Sequence, residues 1–159
     1  MRGMAGLAVA LVLTVGVAQA TAAVPKKEPC ASLKLAQARA VLGPTVKLTE
    51  KKVVRELMCT ARVGGAVAAT IRSQSANDYD YTVTGLKNEK VLVKQLKAIS
   101  VGSARGYSYD LWAGSPPSFS QRVIMFRSGR QMYSVDVPAR RLLTAAKHLQ
   151  LARGVLASR

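Results

Sequence analysis

The chain has 159 residues, with 24 Lys and Arg against 8 Asp and Glu, one His and two Cys, for a formal net charge of +16. At this length one domain of about 100–200 residues is expected, large enough to bury a core without metal staples. With one His and no closely spaced Cys/His set, no zinc site is expected and imidazole-dependent catalysis rests on a single side chain; no period of about 20–50 residues recurs, which excludes solenoids and propellers.

Residues 1–23 read as a secretory signal peptide. Arg2 precedes an apolar run from Met4 to Ala18, and Ala18-Gln19-Ala20 and Ala20-Thr21-Ala22 offer alternative cleavage boxes. The run is shorter than the roughly 20 apolar residues of a retained membrane anchor, so no transmembrane segment is expected after cleavage. A lipoprotein cysteine is not expected either, because Cys30 follows the polar stretch Lys26-Lys27-Glu28-Pro29. Residues 24–29 read as an exposed leader, and residues 30–159 as a single α+β domain that is secreted or held in the extracytoplasmic envelope. Loss of the signal peptide, with Arg2, leaves the mature chain, residues 24–159, with 23 cationic and 8 acidic residues, a net +15.

The next elements follow in order. Ser32 offers an N-cap to an Ala- and Leu-rich helix over Leu33–Leu42, which Gly43-Pro44 stops. Val53–Val63 and Ala66–Arg72 are β-branched runs joined by Gly64-Gly65, which predicts an antiparallel hairpin. Cys30 and Cys59 are the two cysteines of the chain, and in an oxidising compartment they are expected to pair. The pattern over Tyr79–Ile99 is read as a strand, Tyr79 to Thr84, followed by a helix. Leu92, Leu96 and Ile99 would form the apolar face of that helix. Lys90, Lys94 and Lys97 would form a basic stripe opposite, the candidate polyanion-binding residues.

Three strand candidates follow, Gly106–Trp112, Phe119–Arg127 and Gln131–Val137. Ala113–Ser118, with Pro116-Pro117, is the loop between the first two. Asp136 as cap and Pro138 in the first turn then predict a terminal helix carrying Leu142, Leu143, Ala146, Leu149 and Leu156. An antiparallel sheet packed by a short N-terminal helix and a C-terminal helix, with one disulfide, is the expected α+β fold.

Cys30-Ala31-Ser32-Leu33, Ala40-Val41-Leu42-Gly43 and the later Cys59 together resemble the actinobacterial secreted and lipoprotein family catalogued as domain of unknown function 3558. Its members pair an early Cys-x-x-Leu helix ending in Leu-Gly with a second cysteine in a following strand. Weaker likeness continues at Val101-Gly102-Ser103-Ala104 and in the closing strands and helix. Thr60-Ala61 stands where an aromatic often follows the second cysteine, and the lipoprotein attachment site is missing. The resemblance implies an envelope or secreted location and an α+β fold, and it carries over no catalytic residues.

No catalytic, cofactor or metal site is expected. His148 falls within the terminal helix, and no Gly-x-Ser-x-Gly elbow presents a serine. Gly64-Gly65 lacks the ending of a phosphate loop. Glu50, Glu56, Asp78, Asp80 and Asp110 could in principle supply a glycosidase carboxylate pair. The aromatics Tyr79, Tyr81, Tyr107, Tyr109, Trp112, Phe119 and Tyr133 are read as sheet and core residues rather than base-stacking platforms, and export makes nucleic acid an unsuitable partner. The expectation is a non-enzymatic interaction module with anionic envelope polymers or lipid headgroups as partners. A wall-glycan hydrolase would show two facing carboxylates in a concavity. A cationic inhibitor or toxin would show an exposed loop, with Ala113–Ser118 the candidate.

Overall fold

The computed structural model describes residues 29–53 and 56–157. The expected signal peptide and all of the leader except Pro29 lie outside them. The elements are α1 (Pro29–Leu33), α2 (Leu35–Leu42), β1 (Lys47–Val53), β2 (Glu56–Val63), β3 (Ala66–Ser75), α3 (Tyr79–Asn88), β4 (Val93–Val101), β5 (Ala104–Ala113), β6 (Ser118–Ser128), β7 (Gln131–Pro138) and α4 (Ala145–Leu156). The strands form one seven-stranded sheet in the order β1-β2-β3-β7-β6-β5-β4, antiparallel throughout, so the fold is α+β with helices from both ends of the chain packed on the sheet.

Register explains the layers. Cys59, Ile71, Val135 and Ile124 face one another in turn across β2, β3, β7 and β6, and all four are buried. Leu33, Val41, Leu151 and Val155, from α1, α2 and α4, cover this row. Phe126 and Tyr133 stack in the same core with ring centroids 5.5 Å apart. Gln37 of α2 packs against Gly154 of α4, and its amide ties α2 to α1 and α4 when its nitrogen faces Leu33 O and Gly154 O. Because successive side chains alternate between faces, Val123, Met125 and Met132 point to the other side, where Tyr79 and Val83 of α3 bury them. That second cluster takes in no residue of β1 or β2. Along the row Thr49, Thr60, Thr70, Asp136 the same face is polar.

The disulfide is present. Cys30 in α1 is bonded to Cys59 in β2, tying the first helix to the sheet. The Gly64-Gly65 hairpin forms with φ of 57° and 77° at its two turn residues, the paired positive values that a two-residue turn of this hand requires and that glycine adopts without strain. The three late strands fall where expected, each slightly longer than the apolar run that marks it.

Four features depart from the sequence expectations. Ser32 does not cap a single helix: the helix starts at Pro29 and breaks at Lys34, which takes φ 46°. Tyr79–Asn88 is helix and Val93–Val101 strand, the reverse of the expected order. For the strand, a register shift between Lys94 and Lys97 gives the reason. Lys94 lies opposite Asp110 and Lys97 opposite Ser108, so β4 holds one extra residue there, with Gln95 at φ 53°. A bulge turns the two-residue period of a strand into a three-residue step, which imitates helical spacing. Third, β1 is a strand that the sequence does not announce, because Lys47, Thr49, Lys51 and Lys52 give it little apolar signature. Finally, Asp136 does not cap a helix. It lies inside β7, next to the fully buried Val137, and Pro138 ends that strand. A 3₁₀ turn over Ala139–Arg141 follows, and α4 opens only at Ala145, past Leu142 and Leu143, with Thr144 Oγ1 accepting the Lys147 N–H at 3.3 Å.

Candidate functional site

The cations lie mainly on the surface. Among the described residues only Arg72 and Arg122 form ion pairs, Arg72 with Glu56 and Asp136 and Arg122 with Asp110. The other described cations face solvent without a carboxylate partner among those residues. Both sheet edges carry lysines, Lys47, Lys51 and Lys52 on β1 and Lys94 and Lys97 on β4. Charged edge positions discourage pairing with a foreign strand, which accounts for part of this pattern. It does not account for the end of the β2–β3 hairpin. There Lys47 lies directly opposite Arg62, a like-charge pairing that weakens a sheet. Arg141, arriving from the turn after β7, donates through Nη2 to Val63 O at 3.2 Å, and Arg62 donates through Nη1 to Gly65 O at 3.0 Å. Three cations from distant parts of the chain thus share one exposed corner, where the two arginines are held by backbone carbonyls rather than by acids.

The lysines expected to form a helical stripe are arranged differently. Lys90 lies in the α3–β4 loop, and Lys94 and Lys97 lie on edge strand β4, where the bulge brings them to one face. All three are exposed, and Lys94 Nζ donates to Lys90 O.

The polar half of the sheet holds a second group. Arg72 Nε donates to Asp136 Oδ2 at 3.0 Å and its Nη1 reaches Glu56 Oε1 at 3.4 Å. Asp136 is 5 % exposed, and its Oδ1 makes no hydrogen bond of good geometry among the described residues. Burial pushes its carboxyl above the usual range, opposed chiefly by the Arg72 charge. Tyr109 lies near enough for burial and the Asp136 charge to raise its phenol. Asp136 is hidden in the sequence because Pro138 fits the start of a helix as well as the end of a strand. The alternation of Tyr133, Val135 and Val137 with Met132, Ser134 and Asp136 is the signal that places it in a strand.

The acids named from sequence are dispersed. Glu50 Oε2 accepts the Cys30 N–H at 3.0 Å beside the disulfide. Asp110 holds Arg122 through two bonds of 2.7 and 3.1 Å. Asp78 and Asp80 are exposed at the start of α3. Glu56 is brought toward an acid, but that acid is Asp136, and the Arg72 guanidinium binds both, occupying the space that a glycosidase leaves clear for a sugar and water. Cys30, Glu50 and Cys59 lie close together, yet both sulfurs are committed to the disulfide and are not thiolate ligands. His148 is buried, with Nε2 2.8 Å from Val135 O; burial lowers its pKa, and the Val135 carbonyl opposes that shift. Ala113–Ser118 forms the exposed β5–β6 turn.

Among the described residues no helix is long and apolar enough to cross a membrane. No family model matches the chain, and no curated protein is similar to it. Among solved structures it is similar to a protein of Bacteroides thetaiotaomicron, at 8 % identity and a TM-score of 0.43, over 69 % of this chain. The chain spans 40 % of the length of that protein.

Proposed function

We propose that the protein is a secreted, non-enzymatic module that associates with anionic polymers of the cell envelope through exposed lysines and arginines. The observation that carries this reading is the convergence of Lys47, Arg62 and Arg141 with no acid among the described residues to neutralise them. Like charges held together raise the local potential and attract a polyanion, whose binding relieves the repulsion. Kinship with the domain of unknown function 3558 belongs to the same proposal, supported by the Cys30-x-x-Leu33 segment and the bonded Cys59. The hydrolase reading is disfavoured by the position of Arg72 between Glu56 and Asp136.

The test is retention of purified protein on isolated cell walls. Retention is expected to fall steeply as salt rises from about 20 mM to about 500 mM, since screening shortens the reach of exposed charges. Release of soluble fragments from purified peptidoglycan, lost on Glu56→Gln or Asp136→Asn in a folded variant, would replace the proposal with the hydrolase.

A further inference from the structure

The loop between α3 and β4 displays two adjacent aliphatic side chains to solvent. Val91 is 61 % exposed and Leu92 37 %. Their presentation is built into the backbone. Glu89 Oε1 accepts the N–H groups of Val91 and Leu92 at 2.9 and 3.0 Å, which holds the carboxyl below its usual range and fixes the turn. Leu92 O accepts the Trp112 N–H at 2.7 Å, joining this loop to the end of β5. Trp112 and Phe119, half-buried at the adjoining β5–β6 turn, have ring centroids 6.4 Å apart. Lys90 and Lys94 bracket the two aliphatic residues, linked by the Lys94 ammonium on Lys90 O. Neither lysine forms a close ion pair among the described residues, although the Lys94 charge is felt by Glu89.

Aliphatic side chains at the tip, a tryptophan whose backbone N–H is bonded to the loop and ammonium groups around them match the layers of an anionic bilayer surface. Hydrocarbon takes Val91 and Leu92, the interfacial zone takes an amphipathic ring, and headgroup phosphates take the lysines. We propose that the Lys90–Lys94 loop, with Trp112, docks the protein peripherally on an anionic phospholipid bilayer. This rests on the electrostatic reading above only for Lys90 and Lys94. Val91 and Leu92 make it a separate claim, because a hydrated wall polymer gains nothing from them.

Trp112 is the only tryptophan of the chain, so its emission reports on the tip. Full-length mature protein is mixed with vesicles of equal phosphatidylglycerol and phosphatidylcholine, with phosphatidylcholine alone, and with soluble polyphosphate. With the anionic vesicles, the Trp112 emission is expected to shift to shorter wavelength and become shielded from iodide. The double variant V91S/L92S is expected to bind those vesicles about tenfold more weakly, since two side chains no longer leave water, while binding polyphosphate as the wild type does. Both residues are exposed, so this variant should fold. The variant K90Q/K94Q is expected to lose the preference for phosphatidylglycerol. Undiminished vesicle binding by V91S/L92S, unchanged Trp112 emission in vesicle-bound protein, or no vesicle binding by protein that binds polyphosphate would overturn the docking loop and leave the polyanion reading standing. Failure to bind polyphosphate would instead count against that reading.

Discussion

Arg72 on β3 holds the buried carboxylate of Asp136 on β7 through an Nε–Oδ2 bond of 3.0 Å. Arg72 is itself 43 % exposed, so the pair is wet on one side and dry on the other. Removing the guanidinium leaves Asp136 without an ion-pair partner among the described residues, where its Oδ1 already lacks a hydrogen bond of good geometry. Arg72→Ala is expected to destabilise the fold by about 2 kcal/mol, below the range for a wholly buried pair because water reaches one side. Urea denaturation at neutral pH measures it. Asp136 also sets a pH dependence. Its folded pKa lies above the ordinary 3.8, so the native state holds the proton longer than the unfolded chain, and stability declines as pH rises from 3.8 through the folded value.

His148 acts with the opposite sign. Its folded pKa lies below the ordinary 6.5, so the unfolded chain takes up the proton first on acidification. Stability is complete above pH 6.5 and is lost as pH falls through the window between 6.5 and the folded value. The groups acting on the ring besides the burial itself are Val135 O, Arg122 and Asp110. His148→Leu is expected to flatten the stability profile in that window, whatever it does to stability at neutral pH. Denaturant midpoints across the window check this.

The disulfide spans 29 residues of sequence. Loss of a loop of about 30 residues costs about 3.5 kcal/mol in the chain-entropy model. The variant C30A/C59A is expected to melt about 12 °C lower than the wild type, as scanning calorimetry will show.

Gly106 lies under β6, and a Cβ there would come within 2.3 Å of Met125 O and 2.8 Å of Phe126 Cβ. Backbone cannot yield as a flexible side chain does. Gly106→Ala is expected to cost about 3 kcal/mol, read as a lowered denaturant midpoint with an unchanged slope.

Legibility in the sequence follows locality. The late strands are readable because their β-branched and aromatic runs are separated by Gly- and Pro-containing turns, and Cys30 and Cys59 have no other partners. Edge strand β1 is hidden because an edge needs lysines more than it needs an apolar face. The reading of Val93–Val101 as a helix comes from the bulge between Lys94 and Lys97, which spaces side chains as a helix would, while the alternation of Tyr79, Tyr81 and Val83 with Asp80, Thr82 and Thr84 disguises α3 as a strand. Contacts between remote residues leave no local trace. Arg72 and Asp136 are 64 residues apart, and Arg141 is 78 residues from Val63, so neither the buried ion pair nor the basic corner is visible in spacing.

The basic corner is therefore the direct test of the account. The variant K47E/R62E/R141E replaces three exposed cations and removes no core contact, so it should remain folded. Its affinity for isolated cell walls, measured against salt beside the wild type, is expected to be reduced at least about tenfold at low salt, with a shallower dependence on ionic strength. Equal affinity and equal salt dependence for the two proteins would contradict the account.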